Sequence, residues 1–323
     1  MRKTFRLGLA AIGMAVGLSA AASAQELTLY TAGPADLADR LAKGFEASTG
    51  TKVNVFQATT GKVMARLEAE RANPQADVVI SAAWQSALEL KERGDLLEYV
   101  SPNAQTVPDS LKDSHYVAQG AAALAIVWNS KSGKPRPSDW SDLAAPDYKD
   151  AVTMPDPAAS GAAYGLVSAL VTTQADAAWK TFGGLKDNGM VIAGANAQAL
   201  NPVLQGAKAA VMGAVDYIAL AAKEKGESID VIYPASGTVL EARPAMILKS
   251  TRSPDLAKQF IDYMLSEEGQ AMVADTYMLP ARADVAAKRP GWSELTVLEV
   301  DHNEAPAKRQ ELLTRFKTAV GAQ

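Results

Sequence analysis

The chain of 323 residues has no cysteine, two histidines and only 6% aromatic residues. Without cysteine there can be no disulfide framework, thiol catalysis, zinc–thiolate site or CxxC redox motif. His115 and His302 are far apart in the sequence, so the paired histidines of a metalloprotease helix are missing. No G-x-S-x-G elbow is present, since Ser160-Gly161 lacks the leading glycine. A secreted hydrolase therefore has no recognisable machinery here, and no enzyme, metal site or cofactor is expected. Beyond residue 24 there is no run of ~20 apolar residues to cross a bilayer. An excess of positive charge is also missing. The formal charge of −4 includes Arg2, Lys3 and Arg6 and no acid in the first 24 residues, which leaves −7 for the remainder. A nucleic-acid-binding footprint is thereby excluded. An acidic chain can still hold an anion locally, on the backbone amides of helix N-termini.

What is present begins with Arg2, Lys3 and Arg6, an apolar run from Leu7 to about Ala22, and the small-x-small sequence Ala22-Ser23-Ala24 before Gln25. These are the parts of an export signal, and cleavage after Ala24 is expected. The apolar run is short for a membrane anchor and is diluted by Gly and Ser. No cysteine at the cleavage site could carry a lipid, so the expected mature protein is free in the periplasm. The 48% hydrophobic content leaves room for two domains of ordinary size.

After the signal, strand and helix patterns alternate. Leu27-Thr28-Leu29-Tyr30 reads as a strand, and Pro34 suits the first turn of a helix whose stripe is Leu37, Leu41 and Phe45. Val53 to Phe56 is a second strand, and Val63, Met64 and Leu67 line the helix after it. Asp77 to Ile80 is a third. The rhythm predicts crossover units and a parallel sheet, with ligands bound beyond the strands' C-terminal ends. Each strand runs into small or hydroxylated residues: Thr31-Ala32-Gly33, Thr59-Thr60-Gly61 and Ser81-Ala82-Ala83. Such residues let a ligand approach backbone N–H groups, although a Ser or Thr there can equally be an ordinary helix cap. Three such loops at one sheet edge point to a pocket.

A strong strand from Ala123 to Trp128 leads through Asn129 into a second α/β region. There Val152 to Met154, Ala209 to Val215 and Ile229 to Tyr233 read as strands, and Ser160-Gly161 opens a helix from about Ala162 to Thr172. Helices around Leu256–Met264 and Ser266–Gln270, and a last one over 305–320, close the chain. The expected organisation is a signal peptide over 1–24, a first lobe over 25–122 and 240–323, and a second lobe over 123–239. Two crossings, near 118–128 and 234–246, would form the hinge.

Tyr30-Thr31-Ala32-Gly33, the TG-x-x-V-x-V stretch from Thr49 to Val55, Thr60-Gly61, Ala76-Asp77-Val78-Val79, Ser160-Gly161 and the run from Phe260 to Gln270 resemble the periplasmic substrate-binding proteins of ABC importers. The likeness is to the ferric-iron-binding group, which also contains binders of hexose phosphates, phosphonates and thiamine. It spans the whole mature chain, through loose motifs in a specific order. It implies a two-lobed, type II periplasmic-binding-protein fold of the α/β class. It further implies a ligand closed in the interlobe cleft, delivery to an inner-membrane ABC permease, and a monomer.

Ferric members of that group typically supply adjacent tyrosines from the second lobe. The corresponding segment here is Val215-Asp216-Tyr217-Ile218, with one tyrosine. A ferric ion on scattered oxygen ligands is the alternative. A small phosphorylated or phosphonate organic ligand is the better match. Thr59, Thr60 and Gly61 in one lobe and Ser160, Gly161 and Ala162 in the other would present N–H groups and hydroxyls to phosphoryl oxygens. Asp216 and Glu241 are candidates for hydroxyls or an ammonium at the ligand's far end, with an N-cap and a surface charge as their alternatives. Tyr217 and Tyr164 could pack over the ligand or in the core. Thr31, Ala32, Ser81 and Asn129 complete the candidate set.

Overall fold

Apolar residues at four-residue spacing, framed by a helix start and a helix stop, produce the first helix. The computed structural model describes residues 26–291, 294–298 and 306–321; the expected signal peptide and His302 lie outside them. Strand β1 (Glu26–Thr31) enters α1 (Ala35–Thr49) through Pro34, and α1 buries Leu37, Leu41 and Phe45. It stops at Gly50, whose φ of 72° gives the left-handed cap that lets its N–H reach Glu46 O. Phe45 is fully buried and packs edge-on against Phe260 with ring centroids 5.3 Å apart. Burial of such a ring contributes roughly 1.5–3 kcal/mol.

The same unit repeats as β2 (Lys52–Gln57), α2 (Thr60–Ala69), β3 (Val78–Ile80) and α3 (Trp84–Glu92). β1 pairs in parallel with both β2 and β3, so all three deliver their C-terminal ends to one edge. Crossover connections require this arrangement.

Strand β4 (Tyr116–Asn129) has 14 residues and is longer than the expected Ala123–Trp128, because it serves both lobes. Its first half pairs antiparallel with β9 (Leu240–Ile247), which continues the first sheet through β3. Its second half pairs with β7 (Ala210–Val215) and β8 (Ile229–Ile232). β5 (Val152–Pro155) lies in parallel between β7 and β6 (Val191–Ala193). The second lobe's helices are α4 (Gly161–Gln174), α5 (Asp176–Asp187), α6 (Asn196–Leu204) and α7 (Asp216–Glu224). β4 and the segment entering β9 thus join the lobes, with Leu124 N–H bonded to Val239 O at 3.0 Å. Register shifts interrupt β4 between Ala118 and Ala121 against β9, and between Ala125 and Val127 against β7.

Helices α8 (Pro254–Met264) and α9 (Glu267–Asp275) and the short β10 (Leu279–Pro280) return to the first lobe. The last helix, α10 (Pro306–Val320), does not stay with them, which corrects the expected inclusion of the whole 240–323 segment in that lobe. Phe316 meets Phe182 of α5 with ring centroids 5.1 Å apart, and Arg315 lies 4.2 Å from the ring of Trp179. Its apolar residues find their partners on the second lobe.

Candidate ligand-binding cleft

Six helices begin at the facing edges of the two sheets. In the first lobe α1, α2 and α3 start just after β1, β2 and β3; in the second, α4, α6 and α7 start just after β5, β6 and β7. Between these starts lies a cleft of about 700 Å³. Ala32 to Ala35, Phe56 to Thr60, Lys62 and Ala82 line it from the first lobe, and Ala159, Ser160, Ala195 to Gln198, Tyr217 and Ile218 from the second. The first N–H groups of a helix have no acceptor within it, and the aligned peptide dipoles add partial positive charge at that end. Six such ends around one cleft make a positive field that needs no charged side chain.

Thr59 is the N-cap of α2, with its Oγ1 accepting from Lys62 N at 3.4 Å, and Thr60 is the first helical residue. Ser160 caps α4, accepting from Ala163 N at 3.2 Å and donating to Asn196 Oδ1 at 3.2 Å. One hydroxyl therefore ties the starts of α4 and α6 together. The lobes touch where both helices carry glycine. A Cβ on Gly61 would lie 2.9 Å from Ala158 O, and one on Gly161 would lie 2.6 Å from Ala83 Cβ and 3.1 Å from Ala82 O. Such distances are shorter than non-bonded contacts allow, so only glycine permits this approach.

Arg243 of β9 lies behind the lining, 2% exposed. It donates from Nη1 to Ala32 O at 3.0 Å and from Nη2 to the Tyr217 hydroxyl at 3.3 Å, and so bridges the lobes. Its Nε has no hydrogen-bond partner among the described residues. Burial raises the Tyr217 phenol above its ordinary value, against the opposing pull of Arg243. The residue is a neutral phenol at physiological pH.

The two acids of the candidate set do not open onto the cleft. Asp216 is wholly buried, accepts from Ala123 N and from the Tyr233 hydroxyl, each at 3.1 Å, and is ion-paired with Arg289. Burial pushes its carboxyl up to about 6, with Arg289 opposing. Glu241 is 2% exposed, neither of its oxygens has a partner among the described residues, and it packs against Gly165 of α4. Burial raises its carboxyl well above the ordinary range despite Arg243.

Of the remaining candidates, Ala32, Thr59, Thr60, Ser160 and Tyr217 line the cleft, and Gly61 and Gly161 form the seam between lobes. Thr31 lies behind the lining, its Oγ1 accepting from Gly33 N at 2.9 Å. Ser81 also shapes its own turn, donating to Ser86 Oγ at 2.9 Å and accepting from Ala83 N at 3.2 Å. Ala162 and Tyr164 are buried in the core. Asn129 stands at the other end of β4, where its amide holds Val203 O and Lys131 N, each at 2.8 Å. His115 sits beside Ser114 and Asp113, outside the cleft.

Sequence reasoning did not include Lys62, Gln57, Asn196 to Gln198, Arg243 or Arg289. Two of these had a signal. Gly194-Ala195-Asn196 repeats the pattern of small and polar residues after a strand, obscured by Pro202 in the helix that follows. Glu241 and Arg243 alternate with apolar residues in one strand, which places both on the same face.

A family model for bacterial extracellular solute-binding proteins matches residues 73–303. An uncharacterized protein of Haemophilus influenzae is 28% identical over 277 residues, covering 82% of this chain and 79% of its own length. A putative 2-aminoethylphosphonate-binding periplasmic protein of Salmonella typhimurium is 26% identical over 249 residues, covering 75% of this chain and 73% of its own. Among solved structures, the periplasmic binding protein AfuA of Actinobacillus pleuropneumoniae, with exogenous fructose-6-phosphate bound, superposes with a TM-score of 0.85. That alignment has 24% identity and covers 93% of this chain and all of the other. The two-lobed α/β architecture is therefore the periplasmic-binding-protein fold.

Proposed function

The chain belongs to the bacterial extracellular solute-binding proteins, and from that premise we propose that it captures a small organic anion bearing a phosphoryl or phosphonyl group. Capture takes place in the periplasm, after loss of residues 1–24. The closed complex hands its ligand to the permease of an ABC importer, and the chain acts as a monomeric carrier without chemistry of its own.

The observation that carries this reading is the convergence of six helix N-termini on a cleft whose lining, among the described residues, contains no carboxylate and has a buried arginine behind it. A phosphoryl group brings several acceptor oxygens to the N–H groups and hydroxyls of Thr59, Thr60 and Ser160. The seam at Gly61 and Gly161 would exclude water above the ligand and strengthen each bond. A ferric ion asks for the opposite lining, namely anionic oxygen donors. The relatives that bind a phosphonate and a sugar phosphate support the anion.

Native mass spectrometry of the mature chain purified without denaturation tests the reading, together with calorimetric titration of phosphate monoesters and alkylphosphonates. One phosphorus-containing organic ligand per chain is expected. A chain that carries none and binds no member of that panel would overturn it.

A further inference from the structure

We propose that the ligand is an anion whose far end is uncharged and hydroxyl-bearing, and that the cleft rejects ligands carrying an ammonium group. The proposal rests on the anion reading above and narrows it. It runs against the simplest transfer from the aminophosphonate-binding relative.

An ammonium taken out of water into a closed cleft needs a carboxylate beside it. Among the described residues none lines this cleft, and the one charged lining residue there is the exposed Lys62, of the wrong sign. The two candidate acids, Asp216 and Glu241, are both occupied or closed off. Asp216 spends its oxygens on Ala123 N, Tyr233 and Arg289. Arg289, which follows β10 in the chain, is already the cation paired with Asp216. Its side chain, like that of Asp216, is fully buried, and its Nη2 is held by the Tyr233 hydroxyl at 3.1 Å. Glu241 faces Gly165 and Arg243 with no exposure to the cleft. Arg243 itself sits behind Ala32 and Tyr217, adding positive potential from below.

What the lining does offer is neutral. Gln57, Asn196 and Gln198 bring amides, and Thr59, Ser160 and Tyr217 bring hydroxyls. Amides and hydroxyls both donate and accept, which suits the hydroxyls of a polyol chain. They give a buried ammonium no counter-charge.

The test is a matched pair, 2-hydroxyethylphosphonate and 2-aminoethylphosphonate, titrated calorimetrically into the mature chain at pH 7.5 alongside a hexose 6-phosphate. The hydroxyl compound should bind at least tenfold tighter than the amine. Lys62→Glu places an acid at an exposed position on the rim, so its folding is not at risk, and should shrink that ratio severalfold. An amine that binds as tightly as the hydroxyl compound would overturn the proposal while leaving the anion reading standing. A ratio unmoved by Lys62→Glu would overturn its electrostatic basis. If neither phosphonate nor the sugar phosphate binds, the anion reading fails and this inference falls with it.

Discussion

Replacing Gly161 by alanine should separate closure from folding. The added Cβ would lie 2.6 Å from Ala83 Cβ and 3.1 Å from Ala82 O, both on the opposite lobe. Carbon atoms settle at about 3.5–4.0 Å, so the methyl group is about 1 Å too close. Neither obstacle is the tip of a long side chain that could swing away. The lobes must stop short of the seam or accept strain, and overpacking of this kind costs about 1–3 kcal/mol. If ligand binding is what closes the seam, that cost falls on the ligand-holding state, and affinity should fall about five- to 150-fold. The fold should not suffer, since Gly161 opens α4 and alanine is the better helix former by up to ~1 kcal/mol. The unliganded variant should therefore melt no lower than the wild type while binding more weakly. Gly61→Ala, whose Cβ has one close contact, Ala158 O at 2.9 Å, should show a smaller loss. Calorimetry gives the affinity, and small-angle scattering at saturating ligand gives the degree of closure. If Gly161→Ala binds within twofold of wild type and its liganded form scatters identically, the seam is not part of the closing movement.

Three further outcomes are expected. Thr60→Ala and Ser160→Ala should each weaken calorimetric binding tenfold or more, since a hydrogen bond to a charged group contributes ~1.5–3 kcal/mol. Only Ser160→Ala should also lower the melting temperature, by the equivalent of ~1 kcal/mol, because Ser160 caps α4 whereas Thr60 lies inside α2. Ferric ion should give no tyrosinate charge-transfer band in the visible spectrum, because the one tyrosine lining the cleft among the described residues is a phenol held neutral by burial and bonded by Arg243; an intense band at one iron per chain would contradict this. Asp216 sits at about 6 in the folded chain against 3.8 in the unfolded one, so its protonated form stabilises the fold below pH ~4 and that stabilisation is lost as pH rises through 6. Relative to Asp216→Asn, the wild type should lose about 3 kcal/mol between pH 4 and 7 in denaturant titrations, and a difference that does not change with pH would refute the assignment.

Much of the local structure was legible because period and punctuation report it directly. Leu37, Leu41 and Phe45 at helical spacing, stopped by Gly50, become α1 as expected; Val152 to Met154 and the helix after Ser160 become β5 and α4. The expectation of small residues at three strand ends led to a real edge, since parallel crossover units bring their C-terminal ends together. α6 was not legible. β6 before it has only three residues, and Pro202 inside the helix reads as a break. The placement of α10 was not legible either, because an amphipathic stripe says that a helix packs but not on which lobe.

The division between sequence and tertiary structure is sharpest at charged residues. By itself the sequence determined that the chain is α/β, cysteine-free and built of strand–helix units with small and hydroxylated residues at the strand ends, because each of these follows from composition or from neighbours within a few residues. Only the folded chain decided which polar groups line the cleft. Asp216 and Arg289 are 73 positions apart in sequence and share one buried ion pair. Arg243 reaches Ala32, 211 residues away, and Tyr217, 26 residues away. A carboxylate at a strand end looks the same in sequence whether it greets a ligand or is sealed by a distant arginine. Burial and pairing depend on long-range packing, which no local pattern encodes.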